Sequence, residues 1–240
     1  MVATTYRLVI AEDSADLARQ AAETMASCLD LALAQRDRAQ MALAGGSTPR
    51  ACYEKLGMEH LPWDRIDVVL GDERWVPLDH PDSNARMIEA SLRAQGPGRS
   101  ACFHPVPTDA PSLEEGCRRY ADLLKQLCPG DPPTLDLVLL GLGDDGHTAS
   151  LFPGTAASTN TTDLVTVGEG KGLERITLTA PVLSAARQVL FLVSGAGKQQ
   201  ALKRLLDAQE PAARTPARLV CPQSTVLILA DQAAAAGLDP

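Results

Sequence analysis

The sequence predicts an α/β fold: a doubly wound, mostly parallel sheet with helices on both faces, Rossmann-like in its winding. Three observations carry this. Strand-length apolar runs alternate with stretches of helical periodicity along the chain. One run, Leu135 to Leu140 (LDLVLL), reads as a buried central strand. Four of the runs end in glycine-rich or polar loops, at Gly45, Gly71, Gly141 and Gly195. In such sheets, ligands gather at the carboxyl ends of the strands.

Taken in order, Tyr6 to Ala11 (YRLVIA) reads as the first strand. Asp13 or Ser14 can cap the long helix that follows, whose Leu and Ala positions recur at helical spacing. Gln40 to Ala44 is a second strand, closed by Gly45-Gly46, and Pro49 suits the first turn of the next helix. Ile66 to Leu70 is a third strand. Ser83 can cap a helix running through Arg93, and Ser112 precedes another that ends near Cys128. After the central strand come short strands at Leu164 to Val167 and Arg175 to Thr179, then Val189 to Val193 ending at Gly195. A helix from Lys198 to Asp207 and a last strand, Thr225 to Leu229, complete the alternation. The Pro/Gly-rich patches at 96–98 and 129–133 are loops, and neither a repeat nor a linker divides residues 1–240, so one α/β domain is expected.

Composition narrows the function. Aromatic residues make up only 3%, too few for base-stacking platforms, and a net charge of -8 opposes a nucleic-acid backbone. An anionic substrate therefore needs a local cluster of basic groups working against the overall field. The six cysteines form no C-x-x-C pair and read as reduced thiols. MVATTYRLVIAED lacks a basic segment followed by a long apolar stretch, so no signal peptide is expected. No apolar run approaches the ~20 residues of a membrane span. A cytoplasmic protein with no nucleic-acid or membrane partner, monomeric or a small homo-oligomer, is the expectation.

Four constellations can carry chemistry. Gly45-Gly46-Ser47-Thr48-Pro49 follows a strand and opens a helix, where free N–H groups, the helix dipole and two hydroxyls favour an anion; an ordinary tight turn with a cap is the plain alternative. Gly71-Asp72-Glu73-Arg74-Trp75 packs three charges at another strand end. Arg74 can clamp a phosphate or polarise a carbonyl, Asp72 can hold it or bind a hydroxyl, and a solvated loop is the alternative. Asp145-Gly146-His147 sets a carboxylate two residues before a histidine, able to fix the tautomer and leave the other ring nitrogen as a general base. Lys198, after Gly195-Ala196-Gly197, can meet a phosphate as a point charge or remain solvated. His60, His80 and His104 have no comparable setting and read as surface residues.

Several mechanisms drop out. G-x-S-x-G, a P-loop and zinc-ligand spacing are all absent. Gly141, Gly143 and Gly146 do have the G-x-G-x-x-G spacing of a dinucleotide turn, and Glu169 stands near the distance of a ribose-binding acid. Against that reading, Pro153-Gly154 leaves no room for a crossover helix, and Asp144 and Asp145 repel a pyrophosphate. The match is read as accidental, with no NAD or NADP binding.

Four blocks, LAGGSTPRACYEKL, GDERWVPLDHPDSNARMI, GLGDDGHTASLFPG and AARQVLFLVSGAGKQQAL, resemble the 6-phosphogluconolactonase family, in the family's order. That family belongs with glucosamine-6-phosphate deaminase and isomerase-like α/β proteins. The C-terminal strand, VLILAD, lacks a tryptophan often found there, and nothing functional is carried over from it. The resemblance implies hydrolysis of 6-phosphogluconolactone to 6-phosphogluconate in the oxidative pentose phosphate pathway, without metal or organic cofactor. It implies His147 as base beside Asp145, and Arg74 and Lys198 as the basic groups holding substrate, phosphate included. It also implies that Gly45, Gly46, Ser47 and Asp72 line the site, and Thr48, as a hydroxyl donor of the same loop, is expected to bind substrate with them. A lactone is an activated ester, so a base-assisted water suffices, and backbone N–H groups around the glycine turn are expected to stabilise the oxyanion. Deaminases of this kind usually continue with an F-N-E-P-G-like stretch, where this chain has Ser150-Leu151-Phe152-Pro153-Gly154. A non-catalytic sugar-phosphate sensor is the remaining alternative.

Overall fold

A computed structural model of the chain describes residues 4–238. The chain runs β1 (Tyr6–Ala11), α1 (Ser14–Gln35), β2 (Ala39–Leu43), α2 (Ser47–Leu56), β3 (Ile66–Leu70), β4 (Asp72–Arg74), α3 (Asn84–Ser91), β5 (Cys102–Phe103) and α4 (Leu113–Leu127). It continues through β6 (Leu137–Gly141), α5 (Ala156–Thr159), β7 (Val165–Gly170), β8 (Leu173–Leu178), α6 (Ala180–Ser184), β9 (Gln188–Val193), α7 (Gln199–Leu206), β10 (Val226–Asp231) and α8 (Gln232–Ala235). The expected strands are all present, with ends shifted by at most three residues.

Local chemistry sets the boundaries. Asp13 caps α1, its Oδ1 accepting from the amides of Ala15 at 2.9 Å and Asp16 at 2.8 Å. Leu17, Ala21, Met25, Leu29 and Ala32 form the buried stripe of that helix. Each large side chain in it contributes roughly 1.5–3 kcal/mol of burial. Ser83 caps α3, accepting from the Arg86 amide, and Ser112 caps α4, accepting from Glu115.

Seven strands pair in the order β1-β10-β9-β6-β2-β3-β5, every neighbouring pair parallel. The chain fills β2, β3 and β5 outward in one direction, then returns to β6, β9 and β10 in the other. Right-handed crossovers consequently put α1 and α2 on one face and α4 and α7 on the other. The winding reverses between the adjacent strands β2 and β6. Loops leaving their carboxyl ends diverge, and a crevice opens between them.

One expectation is corrected. The strands near Leu164 and Arg175 do not join the parallel sheet. β7 and β8 form an antiparallel hairpin, and β4, expected as a loop, pairs antiparallel with β8 to complete a separate three-stranded sheet. Lys171 (φ 54°) and Gly172 (φ 78°) form its two-residue turn, both left-handed as a tight hairpin requires. The Leu178 amide bonds the Gly71 carbonyl at 2.9 Å, so the small sheet hangs directly from the end of β3. It stands as a wall beside the crevice. Among the described residues, no helix is long and apolar enough to cross a membrane.

Candidate active site

A cleft of about 450 Å³ opens at the carboxyl ends of β2, β6 and β9, with the small sheet along one side. Gly45, Gly46, Ser47 and Thr48 border it from the start of α2. Asp72, Arg74, His147 and Lys198 also line it. Of the residues expected at the site, only Asp145 lies outside this lining, behind His147.

The turn after β6 is closed from within and without. The Gly143 amide donates to the His147 carbonyl at 2.8 Å and the Gly146 amide to the Gly143 carbonyl at 2.9 Å. Thr148 Oγ1 reaches back to the Gly141 carbonyl at 2.8 Å. From outside, the Ala217 amide donates to the Gly146 carbonyl at 3.0 Å, and Arg204 to the Asp144 carbonyl at 3.1 Å. Asp145 Oδ1 accepts from both the His147 amide, at 3.0 Å, and Nδ1, at 2.5 Å. This fixes the ring and leaves Nε2 as its free nitrogen. Phe152 packs against the other side of the imidazole, ring centroids 4.2 Å apart.

Burial holds the His147 imidazole below its ordinary pKa, outweighing the upward pull of Asp145. Asp145 is in the reverse position. Burial pushes its carboxyl up, but the bonds from the His147 amide and ring, with lesser help from Lys171, bring it below the usual range. The result near neutral pH is a carboxylate beside a neutral imidazole, the arrangement of an oriented general base.

Three amides of the glycine turn are not free to serve as oxyanion donors. Its Gly143, Gly146 and His147 amides are spent on bonds inside the turn. Nor does it lead into a helix, as a dinucleotide turn must. Thr148 pairs with Leu151 in an isolated bridge, and α5, the next helix, has four residues. Glu169, read near a ribose-binding distance, lies in β7 opposite Glu174.

The basic groups come from three elements. β4 carries Asp72 and Arg74, and strand alternation turns these two to one face and Glu73 to the other. Glu73 is buried behind the site, accepting from the amides of Arg74, Asn84 and Ala85 and from Ser83 Oγ. It caps α3 and takes no part in the cleft. Arg74 Nη1 donates to the Asp82 carbonyl at 2.6 Å, while its Nε is buried without a partner. Lys198 reaches the cleft from the turn before α7, paired with Asp144.

Sequence reasoning missed Arg175. It lies directly opposite Arg74 in the β4–β8 register, is 6% exposed and lines the cleft. Its Nη1 stands 3.8 Å from Asp72 Oδ2, and its guanidinium packs over the Phe152 ring. The available signal was an arginine at a strand start beside an apolar run. Like charges placed directly across a ladder destabilise it, and Asp72 beside Arg175 offsets part of that cost. Asp231, at the end of the strand from which nothing was carried over, holds the loop after β9. It accepts from Ser194 Oγ at 2.5 Å, the Gly195 amide at 3.0 Å and the Ala234 amide at 2.8 Å.

Of the other histidines, His60 and His80 are exposed as expected. His104 is not a plain surface residue: its Nε2 contacts Asp67 Oδ1 at 2.9 Å, and Arg38 bonds both oxygens of that carboxylate. This cluster sits at the amino end of β3, away from the cleft. Among the described residues, no group of three or more His, Cys, Asp or Glu is arranged to hold a metal ion.

A family model described as glucosamine-6-phosphate isomerases/6-phosphogluconolactonase matches residues 12–229. The chain belongs to this family. A 6-phosphogluconolactonase of Synechocystis sp. is 45% identical over 212 residues, 87% of this chain and 88% of the relative. One from Nostoc sp. is 40% identical over 229 residues, 94% and 95% of the two chains. The solved 6-phosphogluconolactonase of Trypanosoma brucei superposes with a TM-score of 0.86 at 28% identity, covering 99% of this chain and all of that one. The family's parallel sheet is the seven-stranded sheet described above.

Proposed function

We propose that this chain hydrolyses 6-phosphogluconolactone to 6-phosphogluconate, a step of the oxidative pentose phosphate pathway, by base-activated attack of water. One observation carries the reading: the Asp145–His147 pair borders a cleft on which Arg74, Lys171, Arg175 and Lys198 converge. The relatives' names point to the same substrate.

His147 Nε2 takes a proton as the water oxygen bonds to the lactone carbonyl carbon. Asp145 stabilises the imidazolium that forms, without itself being protonated. The tetrahedral oxyanion collapses, the bond from that carbon to the ring oxygen breaks, and the imidazolium returns its proton to the leaving oxygen. The second proton of the water leaves with the ionising product carboxyl. With the Gly143, Gly146 and His147 amides engaged, the oxyanion is left to the remaining amides of the turn and to the cations that line the cleft. Arg74, Arg175 and Lys198, with the hydroxyls of Ser47 and Thr48, also supply the contacts for the phosphate. Held there, the phosphate anchors the ring and aligns its carbonyl with the base.

A ring-opening deaminase needs a further acid near the reacting carbon. The stretch after His147 instead offers Ser150, which donates to Asp72 at 2.5 Å, buried Leu151, and Phe152 against the imidazole. This favours the lactonase. The test is turnover of freshly generated 6-phosphogluconolactone, corrected for spontaneous hydrolysis. A folded protein that adds nothing to the spontaneous rate sinks the proposal and leaves the sensor reading.

A further inference from the structure

Asp144 is the one acid of the GDDGH stretch that catalysis does not use. Its carboxylate is taken by Lys198, 54 residues along the chain. The aspartate side chain is 74% exposed on the rim, whereas the lysine, at 28%, reaches inward to the cleft. Arg204 pins the Asp144 carbonyl from behind, so this carboxylate is presented from a fixed backbone. The pairing places its acid beside a cation that the phosphate also needs. An ammonium is a compact point charge, and a neighbouring carboxylate neutralises much of its attraction for a second anion.

We propose that Asp144 sets the affinity of the site by competing with the substrate phosphate for Lys198. The proposal rests on Lys198 being a phosphate ligand. Competition of this kind weakens the hold on phosphorylated substrate and phosphorylated product alike. That suits the reaction, because hydrolysis adds a carboxylate to a molecule already held by its phosphate. Extra affinity shared equally by ground state and transition state lowers KM without raising kcat.

The experiment is calorimetric titration with 6-phosphogluconate, and with gluconate as the unphosphorylated control. It is run on the parent protein, Asp144→Asn, Lys198→Ala and the double variant. Competition predicts that Asp144→Asn binds 6-phosphogluconate about three- to tenfold more tightly, the size expected for removing one partly solvated charge. Gluconate binding stays as in the parent. In the Lys198→Ala background the same substitution gains much less, because the contested cation is gone. Kinetically, KM for the phosphorylated lactone falls by a matching factor while kcat stays within about twofold. Equal or weaker binding by Asp144→Asn overturns the proposal, because Asp144 would then orient Lys198 rather than compete for it. If Lys198→Ala itself binds 6-phosphogluconate as tightly as the parent, the phosphate role of Lys198 fails, and the proposal with it.

Discussion

Gly143→Ala tests the geometry of the catalytic pair without removing either member. A Cβ built on Gly143 falls 2.0 Å from His147 Nδ1, 2.2 Å from Cε1 and 2.7 Å from Asp145 Oδ1. It occupies the space of the hydrogen bond that orients the base. Ordinary contact begins near 3.4 Å, so the imidazole must retreat by about 1.4 Å (3.4 − 2.0). The backbone does not oppose the change, since Gly143 is not among the residues with positive φ. A misplacement of about 1 Å can cost 10²-fold, and full loss of a general base ~10²–10⁴-fold, so kcat should fall by roughly 10²–10³-fold. The clash is with two side chains at the edge of the cleft rather than with backbone. Destabilisation should therefore stay near the ~1 kcal/mol end of overpacking, about 2–4 °C in Tm for a chain of this size. The assay is initial-rate lactone hydrolysis beside a thermal melt. A folded Gly143→Ala protein with kcat within about threefold of the parent would show that the Asp145–His147 geometry does not control the rate.

Four further outcomes follow from the same site. His147→Asn should keep the fold and lose ~10²–10⁴-fold in kcat; near-parental turnover rules out its role as base. Because burial lowers the His147 pKa, the base stays neutral at pH 7, and kcat/KM should decline only as pH drops below about 6.5. Asp145→Asn removes the contact that favours imidazolium and should move that limb to still lower pH; a limb above the ordinary imidazole value contradicts the assignment. Arg74→Ala and Lys198→Ala should each cost on the order of 1.5–3 kcal/mol in 6-phosphogluconate binding, with Lys198 at the lower end because Asp144 already shares its charge. Both should also lose preference for the phosphorylated over the plain lactone, and an unchanged preference ratio places the phosphate elsewhere. Asp67→Asn breaks a half-buried ion pair far from the cleft, in which Arg38 stays 40% exposed, and should cost about 1–3 kcal/mol of stability with kcat unchanged. Burial raises the Asp67 carboxyl, yet Arg38 and His104 bring it below the usual range. Its stabilising contribution is thus full above the unfolded value and lost as acid titrates it through the folded one, which acid-titration melts would read.

The parallel sheet was legible because its strands are apolar runs of the right length, each followed by a break in periodicity. Leu137 to Leu140 and Ile66 to Leu70 are buried throughout, and such runs announce themselves without any partner. Gly45 and Gly141 marked strand ends that prove to be neighbours at the reversal of winding. The small sheet was only half legible. Asp72-Glu73-Arg74 has the composition of a solvated loop, and nothing local makes it a strand. It becomes one through pairing with Arg175 to Thr177, about a hundred residues away. For the same reason Arg175 went unread as a site residue, because its meaning depends on which residue lies across the ladder. Glu73 and Arg74 are neighbours in sequence with unrelated roles, a division that appears only once the segment is known to alternate. The pairing of Lys198 with Asp144, and the hold of Asp231 on Ser194, likewise join residues that chain order keeps apart.

A chain with 30 acidic against 22 basic residues can bind a dianion only where structure overrides composition. Here the override has three sources, all created by the fold. The reversal between β2 and β6 opens a crevice at the amino end of α2, where backbone dipoles present positive charge that no count of residues records. Attachment of the small sheet to the end of β3 then brings Arg74 and Arg175 face to face. Finally, the loop after β9, tied down by Asp231, delivers Lys198. Two of these three cations arrive with an acid at hand, Asp72 for Arg175 and Asp144 for Lys198. Full neutralisation would waste them, and none would leave them repelling one another. At 3.8 Å, Asp72 is too far from Arg175 for a close ion pair, and Arg74 has only a neutral carbonyl to bond. The positive charge least relieved by a neighbouring acid is therefore carried by the small sheet, on Arg74, Arg175 and the hairpin's Lys171, all of which line the cleft. Under the proposed function, that is where an incoming phosphate or a developing oxyanion gains most.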